Sequence, residues 1–459
     1  MAPFSAAEIA PGDRLDKGQR ALLNARTPAF QSCSAIAGNA PAARGDRIFQ
    51  TRPTFYAIYV DFKLIKIMFF IFCLLSWLRG TAMTHSKDAD YRLADVWYTV
   101  CPVPSALSIS IARNTLSNAF GGSGVTFTSV RTHRDRDVRE AHYDQRKENL
   151  FREGGNIPPL WAKSVGVNLR LLGLTWIEHF SSLVTLKSAN IRHPSDLRGK
   201  RIGLFQRPND RIDYARATAL RGSLIALKAG GIDRSAVTFV DIVLTEPLVA
   251  APPPPGVLSG SAFSSAGMRK RDGIVLKALL EGHVDAVYLT SREADLSELL
   301  DARILYDASQ ALNPVDRISN ATPIAFTVRG ELVEQRPDIA VGVLAEAIRT
   351  ARWAGKNAIE ANRFIARDSG ITEDSVATRY SPGVASRLEP SLGADLLRYL
   401  DVQKNFLLEE GFIPNDFSIT EFAAPEILTE ALSVVEREQS AVGKTAHSVL
   451  VEKAPAKAA

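Results

Sequence analysis

The chain has 459 residues, of which 46% are hydrophobic and 23% are charged, a composition normal for a folded globular protein. The formal net charge of +5 is modest, and basic residues are interspersed with acidic ones, so the sequence predicts a small anionic partner rather than nucleic acid. Three cysteines, two of them in the N-terminal region, exclude a disulfide framework in the body of the chain. Because no Cys and His cluster has metal-ligand spacing, we expect neither a metal nor a cofactor.

Residues 1–82 are expected to be disordered or not part of the native protein, since residues 1 to about 60 show no sustained hydrophobic period. The uncharged run Ile67–Leu78 (IMFFIFCLLSWL) is too short for a membrane span, which needs about 20 residues, so we expect no stable membrane insertion. The run resembles a signal-peptide core but lies far from the first residue. We therefore expect translation to start at Met83 and the protein to be cytoplasmic. The alternative is a genuine signal, which would make the protein periplasmic or membrane-anchored.

From Trp97 onward, short apolar strands alternate with helical stretches, and this alternation predicts βαβ units and an α/β fold. The predicted strands are Val125–Val130, Leu169–Thr175, Leu183–Leu186, Arg201–Leu204, Thr238–Val243, Ala286–Tyr288, Arg303–Tyr306 and Ile324–Val328. The predicted helices are Ser105–Ala119, Ile212–Lys228 and Asp338–Lys356.

Two phrases indicate how these units are arranged. SDLRGKRIGLF (Ser195–Phe205) and LKALLEGHVDAVYL (Leu276–Leu289) resemble phrases in substrate-binding proteins of the nitrate, sulfonate and taurine transport type. That resemblance implies a type II periplasmic-binding-protein-like fold, with two α/β lobes and a ligand cleft between them, and we expect a monomer. The expected segments are lobe 1 at 88–187 and 300–436, lobe 2 at 188–299, a surface loop at 252–267 and a disordered tail at 437–459.

Cys101, in YTVCPVPSAL, is the first candidate for chemistry. Pro102 and Pro104 favour an extended segment that leads into the predicted helix at Ser105. The dipole and free N–H groups of a helix N-terminus would favour the thiolate and lower the thiol pKa. Taken alone, however, a single cysteine is more often a small buried apolar residue.

The second candidate region is HYDQRKENLFREGGNIP, which begins at His142. The backbone N–H groups of Gly154, Gly155 and Asn156 are predicted to form an anion-binding nest, with Arg152 as a bidentate partner for a two-oxygen anion. His142 near a thiol would polarise it or bind a substrate oxygen. The alternative for this region is a solvated loop that caps a helix.

Together, CPVPSAL, the ten-residue spacing from His142 to Arg152, and RxGGNIPPL resemble the signature of the 2'-hydroxybiphenyl-2-sulfinate desulfinases. The resemblance extends over roughly residues 95–430 and implies an active site at Cys101, His142, Arg152 and Gly155. The stretch between Cys101 and His142 is longer and richer in arginine than that family's, so the substrate's aryl or alkyl group is left open.

The resemblance implies hydrolysis of the C–S bond of an aromatic sulfinate, with release of sulfite. Cys101 would act either as a nucleophile on sulfur or as a proton donor to the ring carbon. One alternative is a solute-binding protein of an ABC transporter for sulfonate, nitrate or a related anion. A weaker one, a pyrimidine-precursor synthesis enzyme of similar fold, lacks a supporting cluster of histidines.

Overall fold

The computed structural model describes four stretches of the chain, namely 95–249, 271, 273–290 and 301–452. Three expectations lie outside these residues: the one on positions 1–82 with the apolar run at 67–78, the start at Met83, and the surface loop at 252–267. Of the helices within the described stretches, none is both long and apolar enough to cross a membrane.

The first sheet has three parallel strands at one side and an antiparallel strand, β10, between β3 and β4. In spatial order its strands are β2 (Thr126–Ser129), β1 (Asp95–Val100), β3 (Leu150–Gly154), β10 (Ile324–Arg329) and β4 (Leu169–Thr175).

The second sheet repeats this plan, with β5 antiparallel to both of its neighbours. In spatial order its strands are β7 (Thr238–Val243), β6 (Arg201–Gln206), β8 (Ala286–Thr290), β5 (Ser181–Leu186) and β9 (Ala302–Asp307). The chain passes from the first sheet to the second after β4 and returns after β9, which gives the two α/β lobes that the sequence predicts.

Helices pack against both sheets. They are α1 (Ala106–Ala112), α2 (Thr115–Ala119), α3 (Arg136–Asp144), α4 (Ile157–Ser164), α5 (Tyr214–Ala229), α6 (Gly330–Gln335), α7 (Pro337–Lys356), α8 (Ala358–Ser369), α9 (Val376–Arg379), α10 (Ala394–Glu409), α11 (Ile419–Phe422) and α12 (Pro425–Glu452). Residues 273–280 of the second lobe are also helical.

The central helix of the first lobe, α7, shows why the local sequence folds as it does. Pro337 occupies its first turn, where no N–H donor is needed, and Asp338 complements the positive end of the helix. Ile339, Val343 and Ala347 recur at intervals of four residues and are completely buried. This stripe anchors the core of the first lobe.

The structure differs from the sequence prediction at three local points. The predicted helix Ser105–Ala119 is two helices, α1 and α2, because Asn114 has a left-handed backbone with φ of 59°. Strands β1 and β3 were not predicted. All eight predicted strands are present, with small shifts at their ends.

The lobe boundaries and the tail also need correction. β5 and β9 pair with strands of the second sheet, whereas the expected boundaries placed both in lobe 1. Strand pairing joins distant segments, so the sequence of one apolar strand does not reveal which sheet it enters. Helix α12 continues to Glu452, beyond the expected start of a tail at 437, because residues 437–452 contain no proline and half of them are strong helix formers.

Candidate active site

Cys101 directly follows β1 and has a fixed backbone. Its N–H donates to the carbonyl oxygen of Glu153 at 3.0 Å, and its own carbonyl accepts from the N–H of Val103 at 2.8 Å. Since side chains alternate along a strand, Cys101 points to the same face as Thr99. The thiol is partly exposed and lines the space between the lobes.

His142 lies in the last turn of α3 and contacts Cys101. Its Nε2 is 3.6 Å from the sulfur, and its Nδ1 is 2.6 Å from the hydroxyl oxygen of Thr99. Burial holds the pKa of His142 well below its usual value, and the positive charges of Arg131 and Arg152 lower it further. The imidazole is therefore neutral at physiological pH.

Arg152 is only 1% exposed on β3 and joins the other two residues. Its Nε donates to the carbonyl of His142 at 2.9 Å, one terminal nitrogen donates to the carbonyl of Gly155 at 2.8 Å, and the other donates to the sulfur of Cys101 at 3.3 Å. These bonds use three of the five guanidinium N–H groups, so two remain for a ligand. The guanidinium group that was predicted to bind an anion in bidentate fashion thus already donates three hydrogen bonds within the protein.

The predicted nest at Gly154, Gly155 and Asn156 has a different structure. The Asn156 N–H donates to the carbonyl of Asn320 at 2.6 Å, and its side chain donates to two further carbonyl groups of the same loop. Asn156 therefore fixes that loop, and the geometry does not support a direct ligand contact. Gly154 belongs to strand β3. Gly155 lines the cavity, and its N–H finds no acceptor among the described residues.

Gly154 is required by the position of the thiol. A Cβ atom at this residue would lie 2.2 Å from the sulfur and 2.6 Å from the Cβ of Cys101. The Gly154→Ala variant should therefore displace the thiol and lower the rate of sulfite release from an aromatic sulfinate, the reaction that the desulfinase resemblance implies, by about 100-fold. The Gly273→Ala variant is the matched control, because its new methyl group meets nothing within 4 Å. A Gly154→Ala rate within twofold of wild type would contradict this role.

Glu153, rather than the Cys101 thiol, binds the N-terminus of helix α1. Its carboxylate accepts from the N–H of Leu107 at 2.8 Å, and the Ser105 hydroxyl accepts from the N–H of Ser108. The expectation that free N–H groups of this helix stabilise the Cys101 thiolate is thus wrong. The contact to the sulfur from Arg152 supplies positive charge instead.

Glu153 also predicts a pH effect on stability. Burial raises its pKa from 4.5 to about 7, so between these values the folded chain holds a proton that the unfolded chain has released. This group therefore makes the folded state less stable as pH rises from about 4.5 to about 7, by about 3 kcal/mol in all. The Glu153→Gln variant should lose this contribution. Urea unfolding of both proteins at pH 5, 6, 7 and 8 measures the difference, and parallel pH dependences would refute the prediction.

A single cavity between the lobes contains these residues. With its opening to solvent it measures about 1350 Å³, and Arg131, Arg152, Arg271 and Arg379 line it. The lining found among the described residues includes no aspartate or glutamate. Its aromatic side chains are Tyr143, Phe205, Tyr214, Tyr288 and Tyr380. The cavity therefore suits an anion that carries an aromatic group.

Two of these features were missed by the sequence analysis. Arg131 is buried and donates to the carbonyl oxygen of Val100 at 2.8 Å. In the sequence it is one of several nearby arginines, and nothing there distinguishes it from the others. Tyr143 of α3 and Tyr214 of α5 stack across the cleft, with ring centroids 6.0 Å apart and planes 15° apart. Thr99 was also missed, although the alternation of side chains along a strand places it on the same face as Cys101.

Comparison with known proteins agrees with these features. The chain is 26% identical over 369 residues to the 2'-hydroxybiphenyl-2-sulfinate desulfinases of Rhodococcus erythropolis and Rhodococcus qingshengii. The match covers 76% of this chain and 96% of each relative. The model of the NMT1/THI5-like family matches residues 159–250. The resemblance inferred from the motifs is thus confirmed.

Solved structures confirm the fold class. A mutant of DszB in complex with biphenyl-2-sulfinic acid aligns with a TM-score of 0.60 at 22% identity, covering 74% of this chain and 99% of that one. A putative periplasmic sulfonate-binding protein from Methylobacillus flagellatus aligns with a TM-score of 0.55 at 15% identity, covering 75% and 95%. The two-lobed binding-protein-like fold is therefore shared by an enzyme and a transport protein.

Proposed function

We propose that this chain is a desulfinase that hydrolyses the C–S bond of an aromatic sulfinate to an arene and sulfite. The observation that carries the proposal is the meeting of Cys101, His142 and Arg152 at one wall of the cationic, aromatic cavity. These three residues come from separate segments of the chain, and they are the residues that the desulfinase resemblance implies. The similarity to named desulfinases over almost their whole length supports the same conclusion.

The sulfinate group would bind beside the thiol. The two N–H groups that Arg152 has left and the N–H of Gly155 are donors for its oxygens. The aromatic side chains from both lobes would hold the ring of the substrate. A small anionic organosulfur substrate, as expected from the sequence, would place its anionic group at the donors of Arg152 and Gly155 and its ring among the aromatic side chains.

Cys101 has two possible roles in this reaction. As a thiolate it forms a bond to the substrate sulfur while the C–S bond breaks, and the ring carbon takes the proton that the thiol released. Water then splits the S–S bond, which restores the thiol as sulfite leaves. As a thiol it gives its proton to the ring carbon, and water attacks the departing sulfur group. A mass increase on Cys101 during turnover would support the first role, and its absence under single-turnover conditions would support the second.

One experiment separates the desulfinase from a solute-binding protein. The full chain is incubated with 2'-hydroxybiphenyl-2-sulfinate, and sulfite and the arene are measured over many turnovers. Thermal unfolding is followed in parallel with alkanesulfonates and nitrate as ligands. We expect catalytic release of both products in equal amounts. Stabilisation by alkanesulfonates or nitrate, together with no sulfite from any aryl sulfinate tested, would overturn the proposal and favour the transport protein.

A further inference from the structure

Thr99 is a buried residue of β1 that the desulfinase signature does not include. It is completely inaccessible to solvent and lies beside Arg152 in the register of β1 and β3. Its hydroxyl oxygen is 2.6 Å from Nδ1 of His142. No other partner of this hydroxyl is found among the described residues.

The single partner determines the direction of this hydrogen bond. A hydroxyl carries one proton, and a buried proton without an acceptor costs about 1–3 kcal/mol. If Nδ1 donated to Thr99, the hydroxyl proton would have no acceptor among the described residues. If Thr99 donates to Nδ1, the proton is bonded. The second arrangement is therefore favoured by about 5-fold to 150-fold, since 1.4 kcal/mol corresponds to a factor of ten.

The direction of that bond sets the state of the other ring nitrogen. A neutral imidazole has one N–H, and with Nδ1 as the acceptor this N–H is on Nε2. Nε2 is the nitrogen that faces the sulfur of Cys101 at 3.6 Å. The sulfur thus faces two donors, His142 and Arg152.

A sulfur atom that faces two donors is suited to the thiolate. In this arrangement a thiol could not donate its proton to His142, because Nε2 already carries one. The charges agree with this assignment, since Arg152 is buried and forms no ion pair with a carboxylate of the described residues. The positive charge of Arg152 lies 3.3 Å from the sulfur and would stabilise negative charge there.

We propose that Thr99 is a positioning residue that fixes His142 as its Nε2–H tautomer, so that His142 and Arg152 both donate hydrogen bonds to the sulfur of Cys101. The proposal deepens the proposed function by naming what prepares its reactive group. It does not require the substrate to be known, because the tautomer and the reactivity of the thiol are properties of the free protein.

The test combines a spectrum and a rate. The full chain is labelled with ¹⁵N-histidine, and the ring nitrogens of His142 are assigned by comparison with a His142→Asn variant. The rate of Cys101 alkylation by iodoacetamide at pH 7 is measured by peptide mass spectrometry. Both measurements are made on wild type, Thr99→Val, which has the same shape without the hydroxyl, and Thr99→Ser, which keeps it.

We expect the wild type and Thr99→Ser to show the Nε2–H tautomer and alkylation rates within twofold of each other. Thr99→Val should lose the single-tautomer pattern, and its alkylation rate should fall at least fivefold. An Nδ1–H tautomer in the wild type would overturn the proposal even if Thr99→Val does not fold. So would a Thr99→Val protein that matches wild type in both measurements. Wild type with the expected tautomer but without sulfite release would contradict the proposed function and leave the role of Thr99 intact.

Discussion

Replacing Cys101 by serine should lower sulfite release by at least about 1,000-fold while the protein remains folded. The serine hydroxyl can still accept the bonds from Arg152 and His142, but it does not ionise at neutral pH and is a poor nucleophile. Both assignments of Cys101, as nucleophile or as proton donor, depend on the more acidic thiol. Steady-state sulfite release and urea unfolding of the two proteins measure the two effects.

The other cysteines provide the matched control for this variant. A Cys33→Ser, Cys73→Ser double variant keeps Cys101 as its only thiol and should release sulfite at the wild-type rate. A Cys101→Ser rate within tenfold of wild type would show that the thiol does not take part in the chemistry.

The second large effect is expected from the Arg152→Lys variant. Lysine keeps the positive charge but cannot donate to the carbonyls of His142 and Gly155 and to the sulfur of Cys101 at once. Two buried carbonyl groups then lose their donor, which should lower the free energy of unfolding by about 2–4 kcal/mol. The substrate oxygens lose planar donors as well, so kcat/KM should fall by at least about 100-fold.

The exposed Arg192 allows a matched comparison, because Arg192→Lys makes the same chemical change on the surface of the second lobe. That variant should keep both the stability and the kcat/KM of wild type. If Arg152→Lys also keeps the wild-type kcat/KM, Arg152 does not bind the sulfinate.

The α/β class and much of the strand pattern could be predicted because apolar strands such as β4 and β7 are visible in the local sequence. Strand β3, LFREG, was missed although all five of its residues are buried. Its Arg152 and Glu153 are buried on opposite faces, where carbonyl groups, a sulfur atom and a helix N-terminus bind them. A hydrophobicity pattern cannot detect a strand whose central residues are charged and paired through tertiary contacts.

The candidate active site could likewise be predicted only in part. Cys101, His142 and Arg152 could be named from the sequence because the motif spacing resembles that of a known family. The role of Asn156 could not, because its partners lie more than 160 residues away in the chain. Thr99 and Arg131 act through the ring of His142 and the carbonyl of Val100, and such contacts become visible only after β1, β2 and α3 are packed together.

The central claim is that sulfinate is cleaved beside the Cys101 thiol, and it can be tested by blocking that thiol. The chain is alkylated stepwise with iodoacetamide, and the fraction modified at Cys101 is compared with the rate of sulfite release from 2'-hydroxybiphenyl-2-sulfinate. The rate should fall in proportion to that fraction and reach zero at full modification, and prior addition of the sulfinate should slow the alkylation. A protein fully alkylated at Cys101 that still releases sulfite at the wild-type rate would contradict the claim.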